Sequence, residues 1–192
     1  MMLAQLLYQV LDWLFGFFTL ALLARFAMQW TRASFRNPLG QFVVAVTDWA
    51  VVPVRRLIPS AFGFDLPTLL LAWLAQAMFL GLVFGLFATA AAVTPGAILS
   101  LALLAVVATA RLAIYLLFGA VIVSALLSWI NPYAPLAPVV NAIAQPFLRP
   151  LQRLIPTIGG VDLSPLVLLL VLQILLSLLS SAQRILFPLF PG

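Results

Sequence analysis

Two passages decide the fold of this chain: SWINP at residues 128–132 and QPFLRPLQRLIPTIGGVDLSP at residues 145–165. A shorter version of the second passage, PVRRLIPSAFGFDLP, stands at residues 53–67. These passages hold much of the charge and proline of the chain, whereas the sequence on either side is almost entirely apolar. The pattern predicts apolar helices interrupted by two polar loops.

The composition is typical of an integral membrane protein. Of the 192 residues, 66% are hydrophobic and 7% are charged, and the mean hydropathy is +1.25. A soluble domain carries roughly 25% charged residues. The net charge of +5 comes from arginines scattered along the chain, which indicates topology signals and lipid-headgroup contacts. Membrane lipids are therefore expected partners, and direct binding of nucleic acid is not expected.

The residue types that are missing exclude most catalytic chemistry. The sequence contains no Cys, His, Lys or Glu. Thiolate and imidazole metal sites are excluded, as are nucleophiles built on Ser-His, Cys-His or Lys. Only four aspartates could act as general bases. We expect no enzyme activity, no cofactor and no metal site.

The apolar runs predict an all-α polytopic membrane protein with four transmembrane helices. The predicted spans are about 3–30, 65–93, 97–129 and 164–187. The first run is predicted to be an uncleaved span, because no basic residue precedes Arg25 and the run is too long for a signal peptide. Arg25 lies close enough to Trp30 to be expected to snorkel toward the interface.

A shorter amphipathic segment follows the first span of each half, at about 38–52 and about 135–148. Apolar residues in both recur at i, i+3 and i+4, which predicts a helix with one apolar face. About fourteen residues are too few to span a bilayer, so these helices are expected to be interfacial or shallowly re-entrant. Asn37 is the predicted N-cap of the first, with Pro38 at its first position.

The chain contains an internal repeat. Residues 56–59 read RLIP and so do residues 153–156, and the same register maps Asp65 onto Asp162. We predict two units, 1–96 and 97–192, each consisting of a helix, a loop helix and a second helix. Two spans per unit make the units parallel, related by an axis along the membrane normal. Both loops then face one side of the membrane.

The arginines predict which side this is. Six of them lie in the two loops, at positions 32, 36, 55, 56, 149 and 153. The positive-inside rule places the loops in the cytoplasm and both termini outside. Arg184, near the outer end, argues against this orientation.

The repeat also predicts contacts between polar residues within the spans. Asp12 lies eighteen residues before Trp30, and Arg111 lies eighteen before Trp129. An isolated charge in the bilayer costs at least about 2.5 kcal/mol, so we predict an Asp12–Arg111 ion pair. We favour a structural role for this pair, with a proton or ion pathway as the alternative.

Two glutamines occupy matching positions in the second span of each unit. Gln76 and Gln173 are expected to lie across the axis from one another. Their amides would bond each other or a serine such as Ser124 or Ser128, as polar residues do between transmembrane helices.

The loop charges allow two interpretations. Arg56 precedes Asp65 by nine residues, as Arg153 precedes Asp162, so a tight turn would let each pair meet. The alternative is that Arg56 and Arg153 together form a site for an anion or a lipid phosphate.

The two passages resemble the YggT family, also called YlmG. The resemblance rests on SWINP at 128–132, QPFLRP at 145–150, and the run from RLIP at 153 to DLSP at 165, and it covers both halves. The first copy departs from the pattern, with AMQW at 27–30 and DLPT at 65–68. The second copy is therefore the better candidate for a role beyond folding. Its Asn131, Pro132, Pro156 and Gly160 join the four loop charges as candidate contacts for lipid or a partner.

The resemblance implies a bacterial inner-membrane protein with plastid relatives. The family is linked to cell or plastid division, nucleoid distribution and cytochrome complex maturation, and some members to osmotic tolerance and potassium uptake. It implies no catalytic residue. We favour a non-catalytic scaffold or assembly factor whose cytoplasmic loops bind a protein partner or anionic lipid. The alternative is a transport-linked protein, for which four spans make a thin wall and a homo-oligomer would be needed.

Overall fold

The computed structural model describes residues 2–58, 64–87, 95–155 and 162–186, and these form six α-helices. In chain order they are α1 (Met2–Trp30), α2 (Pro38–Leu57), α3 (Leu66–Phe87), α4 (Pro95–Ile130), α5 (Ala137–Leu154) and α6 (Ser164–Leu186). Helices α1, α3, α4 and α6 are long and apolar enough to cross a membrane. The predicted all-α fold with four candidate transmembrane helices is confirmed.

The two loop helices begin close to where the sequence predicts and extend further. The side-chain oxygen of Asn37 accepts a hydrogen bond from the Gly40 amide and Pro38 opens α2, as expected from capping chemistry. Both helices continue through internal prolines. Pro53 in α2 and Pro150 in α5 are exposed. A proline costs a helix one hydrogen bond and crowds a carbonyl, and the open side of the helix tolerates this better than the packed side.

Each half of the chain assembles its three helices in the same way. Helix α1 packs against α2 and α3, and α4 packs against α5 and α6, while each loop helix also contacts the second span of its own half. The halves meet through α1 with α4, α3 with α4, and α1 with α5. The description of these halves as parallel repeats about a membrane-normal axis stays a prediction.

The buried faces of the two loop helices match position by position. In α2 the buried residues are Gly40, Val43, Thr47 and Val51. The residues 97 positions later in α5 are also buried, namely Ala137, Val140, Ala144 and Leu148. Each loop helix therefore lays one face on the spans and leaves the other face open, which confirms its amphipathic character.

The apolar core lies where the loop helices meet the spans. Val121 of α4 is fully buried against α5 and α6, and Leu22 of α1 is fully buried against α2 and α3. Met28 connects the halves, because it packs against Val139 and Ile143 of α5. Lipid is as apolar as these side chains, so their close packing, rather than escape from water, stabilises the contacts.

Candidate functional site at the ends of the loop helices

In the first half, an ion pair between a buried arginine and a partly exposed aspartate attaches α2 to the span. Arg25 of α1 is only 5% exposed. Its Nη1 donates to Thr47 Oγ1 at 2.7 Å and lies 2.7 Å from Asp48 Oδ1. The expectation that Arg25 snorkels to the interface is wrong, because α2 covers it and supplies both a hydroxyl and a carboxylate.

A second ion pair connects the end of α2 to the start of α3. Arg55 donates through Nη2 to Asp65 Oδ2 at 2.5 Å and through Nε to Oδ1 at 3.3 Å, and the Thr68 hydroxyl donates to the same carboxylate. Burial acts to raise the pKa of Asp65, but the hydrogen bonds from Arg55 and Thr68 and the charges of Arg55 and Arg25 lower it overall.

The predicted Arg56–Asp65 pair is therefore wrong by one residue. Neighbouring residues on a helix point about 100° apart, and Arg55 is the one that faces Asp65. Arg56 is exposed. The turn brings the two helices together as the spacing suggested, but through the adjacent arginine.

In the second half, a neutral side chain takes the place of that arginine. Gln152 Nε2 donates to Asp162 Oδ2 at 2.8 Å, and the Ser164 amide donates to Asp162 Oδ1 at 2.8 Å. Burial tends to raise the pKa of Asp162, yet these hydrogen bonds lower it below its ordinary value. The predicted Arg153–Asp162 pair is wrong in the same way, and Arg153 is exposed.

A neutral hydrogen bond likewise stands where the first half has the Arg25–Asp48 ion pair. Ser124 occupies the position of Arg25 in the register that pairs Trp30 with Trp129, and its Oγ donates to Asn141 Oδ1 of α5 at 2.6 Å. The substitution of two arginines by Ser124 and Gln152 leaves room beside Asp162. A cavity of about 200 Å³ lies there, lined mostly by polar residues. The lining residues are Ser124, Ala125, Ser128, Trp129, Asn141, Gln145, Leu148, Gln152, Asp162 and Pro165.

This polar cavity, as we call the space beside Asp162, gathers residues from both passages that decide the fold. Ser128 and Trp129 come from the first passage, and Gln145, Asp162 and Pro165 come from the second. They lie far apart along the chain, and the packing of α4, α5 and α6 brings them together.

The predicted motif residues Asn131 and Pro132 do not line the polar cavity. The Asn131 side-chain oxygen accepts a hydrogen bond from the Tyr133 amide at 3.2 Å, which stabilises the turn after α4. Pro132 is exposed in the same turn. Pro156 and Gly160 lie outside the described residues.

The four polar residues predicted within the spans are only partly brought together. Asp12, Gln76 and Arg111 line one cavity of about 430 Å³ between α1, α3 and α4. Arg111 Nη1 donates to Gln183 Oε1 of α6 at 3.1 Å, and within the described residues it forms no ion pair with Asp12. The predicted pair is wrong, because equal spacing from a tryptophan sets depth in the membrane but not direction around the helix.

The two glutamines also differ. Gln76 is 5% exposed and donates through Nε2 to Thr19 Oγ1 of α1 at 2.9 Å. Gln173 lies on the exposed side of α6. The prediction that they face each other is wrong, although Gln76 does bond between helices as such residues are expected to do.

The ends of the two loop helices differ in how their aspartates are surrounded. The Asp65 carboxylate is occupied by Arg55 and Thr68, whereas the Asp162 carboxylate borders an open cavity. Within the described ranges, no cluster of three acidic residues could hold a metal ion. The signals that sequence reasoning missed are Ser124 and Gln152, which stand where the first half has arginines.

Comparison with known proteins identifies one family. The model of the CCB3/YggT family matches residues 4–87 and again residues 103–183. An uncharacterized protein of Pseudomonas aeruginosa is 38% identical over 168 residues, which cover 86% of this chain and 84% of the relative. The uncharacterized protein YggT of Escherichia coli is 36% identical over 160 residues, covering 82% and 80% of the two chains.

A third relative adds to this agreement. An uncharacterized Vibrio alginolyticus protein encoded in the proC 3' region is 37% identical over 163 residues, covering 83% of this chain and 85% of its own. No solved structure matches the chain.

Proposed function

Because this chain belongs to the CCB3/YggT family, we propose that it is a non-catalytic scaffold or assembly factor of a bacterial inner membrane. Its loop helices would face the cytoplasm and bind anionic lipid or a protein partner during division, nucleoid distribution or assembly of a membrane complex. The lack of Cys, His, Lys and Glu supports a role without catalysis.

The observation that carries the proposal is the pair of exposed arginines at the ends of the loop helices. Arg56 and Arg153 lie 97 residues apart, and each is exposed in the last turn of its helix. The residue before each one, Arg55 or Gln152, is held by an aspartate at the start of the next span. These hydrogen bonds hold the end of each loop helix in place. The guanidinium groups of Arg56 and Arg153 remain available to bind phosphate or carboxylate oxygens.

The proposed orientation can be tested first. The chain has no native cysteine, so single cysteines at Ser34, Leu154 and Gly96 report one position each. All three positions are exposed. With a membrane-impermeant thiol reagent applied from outside, we expect labelling at Gly96 and protection at Ser34 and Leu154. The reverse pattern would place the loops outside and contradict a cytoplasmic scaffold.

The role of the two arginines can be tested with the full chain in nanodiscs that contain anionic and zwitterionic lipids. Replacement of Arg56 and Arg153 together by Gln should lower the retention of anionic lipid, measured by native mass spectrometry. The matched control removes the same charge from the other end of the first loop, at Arg32 and Arg36. An equal loss in both double variants would show general attraction of charge and contradict a site at the helix ends.

One observation supports the transport-linked alternative. The 430 Å³ cavity between α1, α3 and α4 brings together a carboxylate, an amide and a guanidinium, from Asp12, Gln76 and Arg111, with Asp12 on its exposed side. Charged groups in such positions often mark ion pathways. Flux measurements in proteoliposomes decide the matter, because a pathway predicts ion flux that Asp12→Asn reduces. Absence of flux in the wild-type chain favours the scaffold.

A further inference from the structure

We propose that the polar cavity beside Asp162 binds the primary ammonium group of a phospholipid headgroup, as found in phosphatidylethanolamine. This site is separate from the one formed by Arg56 and Arg153, because neither arginine lines it. The inference rests on a comparison inside the molecule, on the helix ends that surround the cavity, and on the residues at its mouth.

The first half shows which kind of group this place accommodates. There, the guanidinium groups of Arg25 and Arg55 occupy the equivalent space and bind Asp48 and Asp65. The second half retains the carboxylate of Asp162 but has Ser124 and Gln152 in place of the cations. Within the described part of the chain, Asp162 has no ion-pair partner, so its charge is met only by neutral donors. A cation from outside would complete the site.

Two of the three helix ends beside the cavity favour a cation, and the partial positive charge of the third, the N-terminal end of α6, is already met by the Asp162 carboxylate. Ser128 lies in the last turn of α4 and Gln152 in the last turn of α5, and the C-terminal end of a helix carries a partial negative charge. The amide and hydroxyl oxygens that line the cavity can accept hydrogen bonds from an ammonium group. A quaternary ammonium group has no N–H to donate, which distinguishes ethanolamine from choline headgroups.

The mouth of the cavity fits a zwitterionic lipid. Arg149 is exposed and donates through Nη2 to Gln145 Oε1 at 3.1 Å, so a guanidinium group stands beside the cavity wall. It can bind the phosphate while Asp162 binds the ammonium group. Trp129 lines the cavity and is 74% exposed, and tryptophan is enriched at membrane interfaces. A space of about 200 Å³ is equivalent to about seven waters, which suits a headgroup and is too small for a folded protein segment.

The test uses the full chain in nanodiscs of phosphatidylglycerol supplemented equally with phosphatidylethanolamine and phosphatidylcholine, with retained lipids measured by native mass spectrometry. We expect about tenfold enrichment of phosphatidylethanolamine over phosphatidylcholine, as for one hydrogen bond to a charged group. Asp162→Asn should abolish the enrichment. Gln152→Arg should also abolish it, because the new guanidinium group would reach Asp162 as Arg55 reaches Asp65.

Two features separate the proposal from loss of folding. Gln152→Arg is expected to unfold at the same or a higher temperature than the wild type, so a loss of enrichment in this variant reflects occupation of the site. Arg36→Gln removes an exposed charge in the other half of the chain and should leave the enrichment unchanged. Equal retention of the two lipids by the wild type, or unchanged enrichment in Gln152→Arg, would overturn the proposal. So would full displacement of the lipid by free ethanolamine, which would identify a soluble amine as the ligand.

Discussion

The two halves of this molecule attach their loop helices to the spans with the same geometry and different chemistry. In the first half, Arg25 and Arg55 form ion pairs with Asp48 and Asp65. In the second half, Ser124 donates a hydrogen bond to Asn141 and Gln152 donates one to Asp162. Among the described residues, this half contains no ion pair. The buried apolar positions of α2 and α5 nevertheless coincide.

This difference teaches that the apolar face, and not the charge, sets the position of each loop helix. A buried ion pair often contributes little net stability, although breaking one is costly. In the first half, removing one partner of an ion pair is expected to lower the stability of the fold. The second half has hydrogen bonds between neutral groups and a cavity at the matching positions. The predictions below test this contrast, in order of decreasing expected effect.

The largest effect is expected at the ion pair of the buried Arg25. Asp48→Ala removes the carboxylate that lies closest to the buried Arg25 guanidinium and leaves it the Thr47 hydroxyl and the charge of Asp65, so it should lower the free energy of unfolding by about 3 kcal/mol. Gln145→Ala, at the matching exposed position of α5, should change it by less than about 0.5 kcal/mol. Unfolding in mixed detergent micelles measures both, and equal losses would show that the halves do not differ.

The next effect concerns the first turns of the loop helices. A Cβ added at Gly40 would lie 2.7 Å from Phe35 Cα and 2.8 Å from the Phe35 carbonyl oxygen, both of which are backbone atoms. Gly40→Ala should therefore cost about 2 kcal/mol. Its counterpart, Ala137, is buried and already carries a Cβ, so Ala137→Gly should cost no more than about 1 kcal/mol. An unchanged free energy of unfolding in Gly40→Ala would show that the backbone at Phe35 can move to make room for the added Cβ.

A smaller difference is expected between the two aspartates that precede α3 and α6. Asp65→Asn removes the ion pair to a partly exposed Arg55 and should cost about 1.5 kcal/mol. Asp162→Asn removes only the charge opposite neutral donors and should cost about 0.5 kcal/mol. If Asp162→Asn is the more damaging, the charge of Asp162 has a structural partner, and the contrast between the halves is lost.

The smallest effect is the dependence of stability on pH. The pKa of Asp65 and that of Asp162 are both lowered in the folded state from an ordinary value of 3.8. The stability that these carboxylates contribute is fully present above that value and is lost as the pH falls through the folded-state pKa. Thermal unfolding between pH 6 and pH 3 should therefore show falling stability. The Asp65→Asn, Asp162→Asn double variant should show a flatter profile, and an equally steep one would mean that other groups are responsible.

The sequence was sufficient to predict the helices, because hydrophobic length and periodicity depend on local residues. The six described helices begin within two residues of the predicted starts of the spans and loop helices. Their ends were less predictable. The loop helices were predicted to end at about 52 and about 148, but they continue to Leu57 and Leu154 through Pro53 and Pro150, which lie on their open sides.

The contacts between side chains were much harder to predict, because they depend on direction around a helix. Spacing brought Asp65 to the end of α2 but could not distinguish Arg56 from Arg55, which points about 100° away. Equal depth likewise suggested an Asp12–Arg111 pair, whereas Arg111 turns toward Gln183. Burial of Arg25 could not be foreseen without knowing which span α2 covers.

The length of α4 has a consequence for where in a membrane this protein is stable. The helix has 36 residues, whereas α3 has 22 and α6 has 23. At about 1.5 Å per residue, α4 is about 54 Å long, and even a tilt of about 40° leaves it taller than a hydrocarbon core of about 30 Å. Its ends carry exposed apolar side chains such as Leu99 and Ile130. A thicker bilayer covers more of them, so the protein should partition toward thicker regions of a membrane.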